Sequence, residues 1–175
     1  NTHLNPADLA VLEPMNRITY ARYLLKTGKQ TEAADIFSSI LSDKKNQKNV
    51  PLLIAMSEVA IEENGDALKA LGWLDLAEKK SSKQSKIEIL RGLAYRKLGD
   101  ASKSYLAYQD ALKKDPGSVR AHYLLAKIFI AQKNPDVYME HLMKVMELDF
   151  NYAPVLKELY DHYYYRDVQK AKYYL

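Results

Sequence analysis

The segment KLGDASKSYLAYQDAL, Lys97–Leu112, reads as the end of one helix, a tight turn and the start of a second helix. Gly99 stands where a helix leaves through a left-handed C-cap, a backbone conformation that a Cβ disfavours. Asp100 follows as an N-cap acceptor for the next helix. Beyond the turn, Ser104, Tyr108 and Ala111 recur at helical spacing. The small residues let a neighbouring helix approach, and the tyrosine fills the space beside them.

Three further segments lie on this one without gaps: KTGKQTEAADIFSSIL (Lys26–Leu41), ENGDALKALGWLDLA (Glu63–Ala77) and QKNPDVYMEHLMKVM (Gln132–Met146). The turn position runs Gly28, Gly65, Gly99, Lys133, and the small position runs Ala33, Ala70, Ser104, Tyr138; both series step by 37, 34 and 34 residues. A bulky position holds Phe37, Leu74, Tyr108 and Leu142, and a compact one holds Ile40, Ala77, Ala111 and Val145. Ile18, Ala21, Tyr23 and Leu25 carry helical periodicity on the other side of the first turn, so each turn joins two helices. Asp66 and Asn134 repeat the capping role of Asp100, and Pro135 suits a first helical position. A single helix pair leaves apolar surface that only a stacked neighbour covers, which is why such units come in arrays. The spacing predicts helices over 15–27, 30–43, 51–64, 67–80, 83–98, 101–114, 119–132, 136–148, 153–165 and 168–175.

On these residues the chain resembles the tetratricopeptide repeat, whose unit is about 34 residues long. The third unit matches best, with Gly92 and Tyr95 in its first helix, Gly99-Asp100 at the turn, Ala111 in its second helix and Pro116 at its end. The fourth keeps Ala126 and Phe129 but has Tyr138 where alanine is usual and Phe150 where proline is usual. The second has Glu58 at the small-residue place of its first helix, and the three extra residues before it are assigned to the polar run Ser42–Asn49. A fifth begins at about Ala153 and keeps Ala171. The resemblance implies an all-α fold, an α-solenoid of helix-turn-helix repeats forming a right-handed superhelix. The array spans 14–175, with repeats at about 14–50, 51–84, 85–118, 119–152 and a partial 153–175. The lead-in, 1–13, reads as the end of an upstream repeat or a short helix begun by Asn5-Pro6.

Composition narrows the chemistry. The 175 residues contain no cysteine, which removes disulfides, thiolate nucleophiles and cysteine-ligated metal sites. His3, His122, His141 and His162 form no i, i+4 pair, and Glu62-Glu63 are expected on different faces of one helix, as a solvated helix end rather than an acid/base couple. Every glycine at a turn stands alone, so no phosphate-binding loop is present. No apolar run approaches the roughly 20 residues that cross a bilayer. No enzyme class, cofactor, metal or membrane insertion follows from these residues.

The family resemblance places the first helix of each pair on an inner surface that receives a peptide or helix of a partner. On that analogy the inward-facing residues are Arg22, Lys26, Glu62, Glu63, Lys86, Leu93, Arg96, Lys97, Arg120, Tyr123, Lys127, Lys157, Asp161 and Tyr164. The expected binding row is Arg22, Lys26, Lys86, Arg96, Lys97, Arg120, Tyr123, Lys127, Lys157 and Tyr164, basic at its centre. The carboxylate clamp of some family members needs an asparagine in two adjacent first helices. Arg22 and Met56 stand there instead, so that specialised mode is not expected. In the segment YDHYYYRD, Tyr160, Tyr163 and Tyr164 share one side and read as packing between the fourth and fifth pairs, or as a partner-binding patch. Trp73 reads as a packing residue of the second pair.

The expected function is a non-enzymatic protein-interaction scaffold that binds a peptide or protein partner with an acidic or carboxylate-bearing segment. A formal charge of +4 supports acidic partners weakly. One alternative is a helical repeat that binds single-stranded RNA, for which the same lysines, arginines and tyrosines speak and the interrupting acids do not; nucleic acid is not the expected ligand. Another is a regulatory or docking arm of a larger enzyme or envelope assembly. A chain starting at Asn1 rather than methionine fits a bacterial envelope or periplasmic protein, and equally an internal piece of a longer chain. No feature sets an oligomeric state.

Overall fold

In the computed structural model, which describes residues 9, 11–63 and 65–174, ten α-helices follow one another and no strand occurs among the described residues. They are α1 (Pro14–Lys26), α2 (Gln30–Leu41), α3 (Val50–Glu62), α4 (Ala67–Glu78), α5 (Ser85–Lys97), α6 (Ala101–Lys114), α7 (Val119–Ala131), α8 (Pro135–Leu148), α9 (Ala153–Tyr163) and α10 (Val168–Lys172). A short 3-10 turn, Asn46–Lys48, precedes α3. The chain divides into two compact units, one ending at Ala107 and one beginning at Tyr108, so that α6 belongs partly to each. The expected lead-in helix at Asn5-Pro6 lies outside the described residues.

Capping explains most helix starts. Asp66 accepts from the amides of Leu68 and Lys69, Asp100 from Lys103, Asn134 from Val137 and Asp167 from Lys170. Asn49 and Ser118 cap α3 and α7 in the same way. Each satisfies amides that have no partner within the helix. Gly28 and Gly99 have φ of 79° and 80°, and Lys133 takes the same left-handed conformation with φ of 58°. At Gly65 the visible constraint is space, since a Cβ there would come within 2.9 Å of the Ala60 Cα.

In the first unit α1 packs on α2, α3 on α4, and α4 on α5, while α1, α3 and α5 touch in succession. Helix α3 is enclosed on several sides, and eight of its residues from Leu52 to Ile61 are buried. Leu53, Leu74 and Leu90 are fully buried, each burial contributing roughly 1.5–3 kcal/mol. Tyr23 departs from the expected apolar face: it is 48% exposed and stacks beside Tyr20, while Leu24 takes the buried place with Ile18, Ala21 and Leu25. Trp73 meets Phe37 edge-on at 5.2 Å and so packs towards the first helix pair as well as within its own.

The second unit is shaped differently in its floor. Ala126, Tyr138, Leu142, Val145, Val155, Leu159 and Tyr174 form one buried cluster. Tyr138, the large residue at a small-residue place, fits there opposite Ala126 and is only 9% exposed.

One expectation about register changes. First helices begin at Pro14, Val50, Ser85, Val119 and Ala153, spacings of 36, 35, 34 and 34 residues. Two of the three extra residues therefore precede α3, and the third lies in the turn from α3 to α4, which is one residue longer than the turns at Gly28 and Gly99. That shift moves the helix-contact position from Glu58 to Ser57. Ser57 is fully buried and its hydroxyl lies within hydrogen-bond reach of the Leu53 and Ala70 carbonyls, at 2.8 and 3.2 Å. The start of α5 also moves, from 83 to Ser85.

Candidate functional site

In the first unit the first helices share a face whose charged side chains pair across helices. Arg22 on α1 lies 3.9 Å from both Glu62 and Glu63, and Lys26 lies 3.4 Å from Glu63. Glu62 and Glu63 were expected on different faces. Both reach Arg22 because Glu63 already stands beyond the last helical residue of α3. From α5, Lys86 reaches Glu58 at 2.9 Å and the Lys97 ammonium donates to the Ile61 carbonyl at 2.8 Å. Desolvation by burial lowers the Lys97 pKa. Arg96 is exposed, whereas Leu93, expected to face the partner, is only 7% exposed and belongs to the core.

Across this face the order is basic on α1, acidic on α3 and basic on α5. The cations are the more exposed partners: Arg22, Lys26 and Lys86 retain 41%, 60% and 50% of their side-chain surface, against 38%, 18% and 21% for Glu62, Glu63 and Glu58. Glu58, one residue past the contact position held by Ser57, is thus an acid that joins α3 to α5.

On the other side of α5, Arg91 holds α4. Its guanidinium lies 2.5 Å from Asp75, 2.7 Å from Glu78 and 3.3 Å from the buried Glu88. Beside the turn at Gly65, a cleft of about 450 Å³ opens between α2 and α4, with Phe37, Leu41 and Trp73 among its walls.

The second unit engages the expected row in a different way. The Tyr123 hydroxyl and the Lys127 ammonium both donate to Glu158 Oε1, at 2.7 and 2.9 Å, and the Tyr138 hydroxyl donates to Oε2 at 2.5 Å. Burial and then the bond to Glu158 push the Tyr123 hydroxyl up to about 12, and the same two causes raise Tyr138. Burial works to raise the Glu158 pKa, but the three donors outweigh it and the carboxyl is held below its ordinary value. Tyr123 and Lys127 therefore knit α7 to α9. Arg120 is half-buried, Lys157 pairs with Asp161 one turn on at 3.3 Å, and Tyr164 is 45% exposed. Among the tail tyrosines, Tyr163 stacks on Tyr174 and carries Lys170 over its ring at 4.2 Å, so it packs inside the last pair. Tyr164 and Tyr165 stay open to solvent, Tyr165 at 91%.

Two histidines that sequence spacing separates come together. His122 Nδ1 and His141 Nδ1 lie 3.0 Å apart, and His122 Nε2 lies 3.1 Å from the Pro116 carbonyl. A carbonyl only accepts, so His122 carries its proton on Nε2 and the neutral pair is closed by His141 Nδ1–H donating to His122. Burial, then His122, lowers the His141 pKa against the smaller opposing pull of Glu140. Two histidines do not make a metal centre, and no group of three or more potential ligands assembles among the described residues.

Glu158, Tyr138, Arg91 and the histidine pair were all missed from sequence. Only Tyr138 carried a signal, as a large residue at a small-residue position.

The paired helices, capped turns and small-residue contacts form an all-α fold of the kind seen in tetratricopeptide-repeat proteins. The sequence model of the tetratricopeptide repeat family matches residues 89–137. Among solved structures, PilF of Pseudomonas aeruginosa is similar at 18% identity and a TM-score of 0.67, over 92% of this chain and 72% of its own. TTC0263, a thermophilic tetratricopeptide-repeat protein of Thermus thermophilus, is similar at 19% identity and a TM-score of 0.64, over 85% of each chain. MamA of Desulfovibrio magneticus RS-1 is similar at 22% identity and a TM-score of 0.62, over 80% of this chain and 77% of its own. A comparison with curated protein sequences finds no match.

Proposed function

We propose that this chain is a non-catalytic scaffold that holds a partner protein against the exposed face of its first helices. The observation that carries this reading is the cross-helix charge pairing on α1, α3 and α5. Ion pairs of this exposure contribute at most about 1 kcal/mol each, so they do little for the fold and exchange readily for contacts with a ligand. Carboxylates of Glu58, Glu62 and Glu63 interrupt any continuous cationic track, which favours a protein segment over a nucleic-acid backbone. The open tyrosines Tyr164 and Tyr165 offer a second contact area of the kind enriched at protein interfaces.

The test begins with recovery of a partner by pull-down and its purification. Lys86→Glu and Arg96→Glu should each weaken its binding by about three- to tenfold and flatten the salt dependence. An affinity unchanged in both variants sinks this reading. Retention of single-stranded oligonucleotides on filters at about 0.15 M salt would instead favour nucleic-acid binding.

A further inference from the structure

We infer that the face of α1, α3 and α5 selects an extended partner segment by the order of its charges: acidic, then basic, then acidic. This rests on the scaffold reading above and specifies its ligand. The cations Arg22 and Lys26 stand on α1, the carboxylates Glu58, Glu62 and Glu63 on or just after α3, and the cations Lys86 and Lys97 on α5. Helices α1 and α3 are in contact, and so are α3 and α5, so a chain crossing this face meets positive, negative and positive charge in turn. The opposite charges that meet across each helix contact lie 2.9–3.9 Å apart, and an extended chain advances about 3.3 Å per residue. The complementary segment therefore changes charge within about one to two residues.

Exposure strengthens the case. The flanking cations Arg22, Lys26 and Lys86 keep roughly half their surface, while Glu58 and Glu63 sit lower between them and Glu62 is about as exposed as Arg22. Acids of a partner meet Lys26 and Lys86 without first stripping them from a buried pair. A lysine or arginine of the partner, placed centrally, meets the carboxylates on α3. A uniformly acidic segment would press against those same carboxylates, and like charges facing each other count against a wrong partner. The face thus discriminates by charge order, where net charge alone would select any acidic chain.

Two labelled peptides of identical composition test this with the whole chain, by fluorescence anisotropy at about 0.05 M salt. One carries acidic, basic and acidic residues in that order at adjacent or alternate positions; the other has the basic residue moved to one end. The first should bind about tenfold more tightly. The triple variant Glu58→Gln, Glu62→Gln, Glu63→Gln, which keeps side-chain volume, should bind both peptides alike while unfolding near the wild-type temperature. Equal affinity of the two peptides for the unaltered chain overturns the inference, as does no binding of either. Tighter binding of a wholly acidic peptide overturns the charge order but leaves the scaffold reading standing. The scaffold reading itself falls only on the separate measurement with the purified partner.

Discussion

Glu158 is the residue on which three side chains of the second unit converge. Its carboxylate accepts from Tyr123, Lys127 and Tyr138, so replacing it with alanine leaves three donors without that acceptor. Glu158→Ala should cost roughly 1–3 kcal/mol in urea unfolding. The sign of its pH dependence follows from the lowered pKa. A carboxyl whose folded value lies below its unfolded one contributes stability above the unfolded value and loses it as pH falls through the folded one. Stability should therefore decline as pH falls below about 4.3, the ordinary glutamate value. Glu158→Gln should flatten that acid limb; an unchanged limb would show that other carboxylates set it. Lys133 gives a second test at this scale. It holds the left-handed turn conformation that glycine holds at Gly28 and Gly99. Lys133→Gly should raise stability by up to about 1 kcal/mol, because the relieved strain exceeds the added freedom of the unfolded chain.

At the scale of elements, the contact between α3 and α4 runs through Ser57 and Ala70. Ser57→Leu should overpack it and cost about 1–3 kcal/mol, whereas Glu58→Leu removes a half-buried ion-pair partner of Lys86 and should cost less. The reverse order on thermal unfolding would restore Glu58 to the contact position. Ala111 is fully buried on α6, and Ala111→Leu should likewise cost about 1–3 kcal/mol. These substitutions probe the register of the repeat. The helix pairs were legible because the turn residues and caps are contiguous in sequence. The extra residue was misplaced because a four-residue turn and a longer loop leave the same spacing between Gly28 and Gly65.

At the scale of the whole molecule, the expected basic row becomes a set of pairings. Arg22, Lys26 and Lys86 face carboxylates on or just after α3, and Lys127 faces Glu158 of α9. Binding through such a surface is electrostatic, so a partner's affinity should fall steeply from about 0.05 to 0.3 M salt. A salt-independent affinity would move attention to an apolar surface, for which the single tryptophan, Trp73, is a direct fluorescent reporter in the cleft between α2 and α4.

The sequence by itself determined the helix pairs, their caps and most of their boundaries. Those depend on contacts between residues three or four apart, such as Asp100 with Lys103 or Asn134 with Val137. Only the tertiary structure decided which charges face each other. Lys86 meets Glu58 across 28 positions, Tyr123 meets Glu158 across 35 and His122 meets His141 across 19. Helical periodicity assigns a residue to a face of its own helix, but the partner on that face is set by how neighbouring helices stack, and a one-residue change in a turn is enough to alter it.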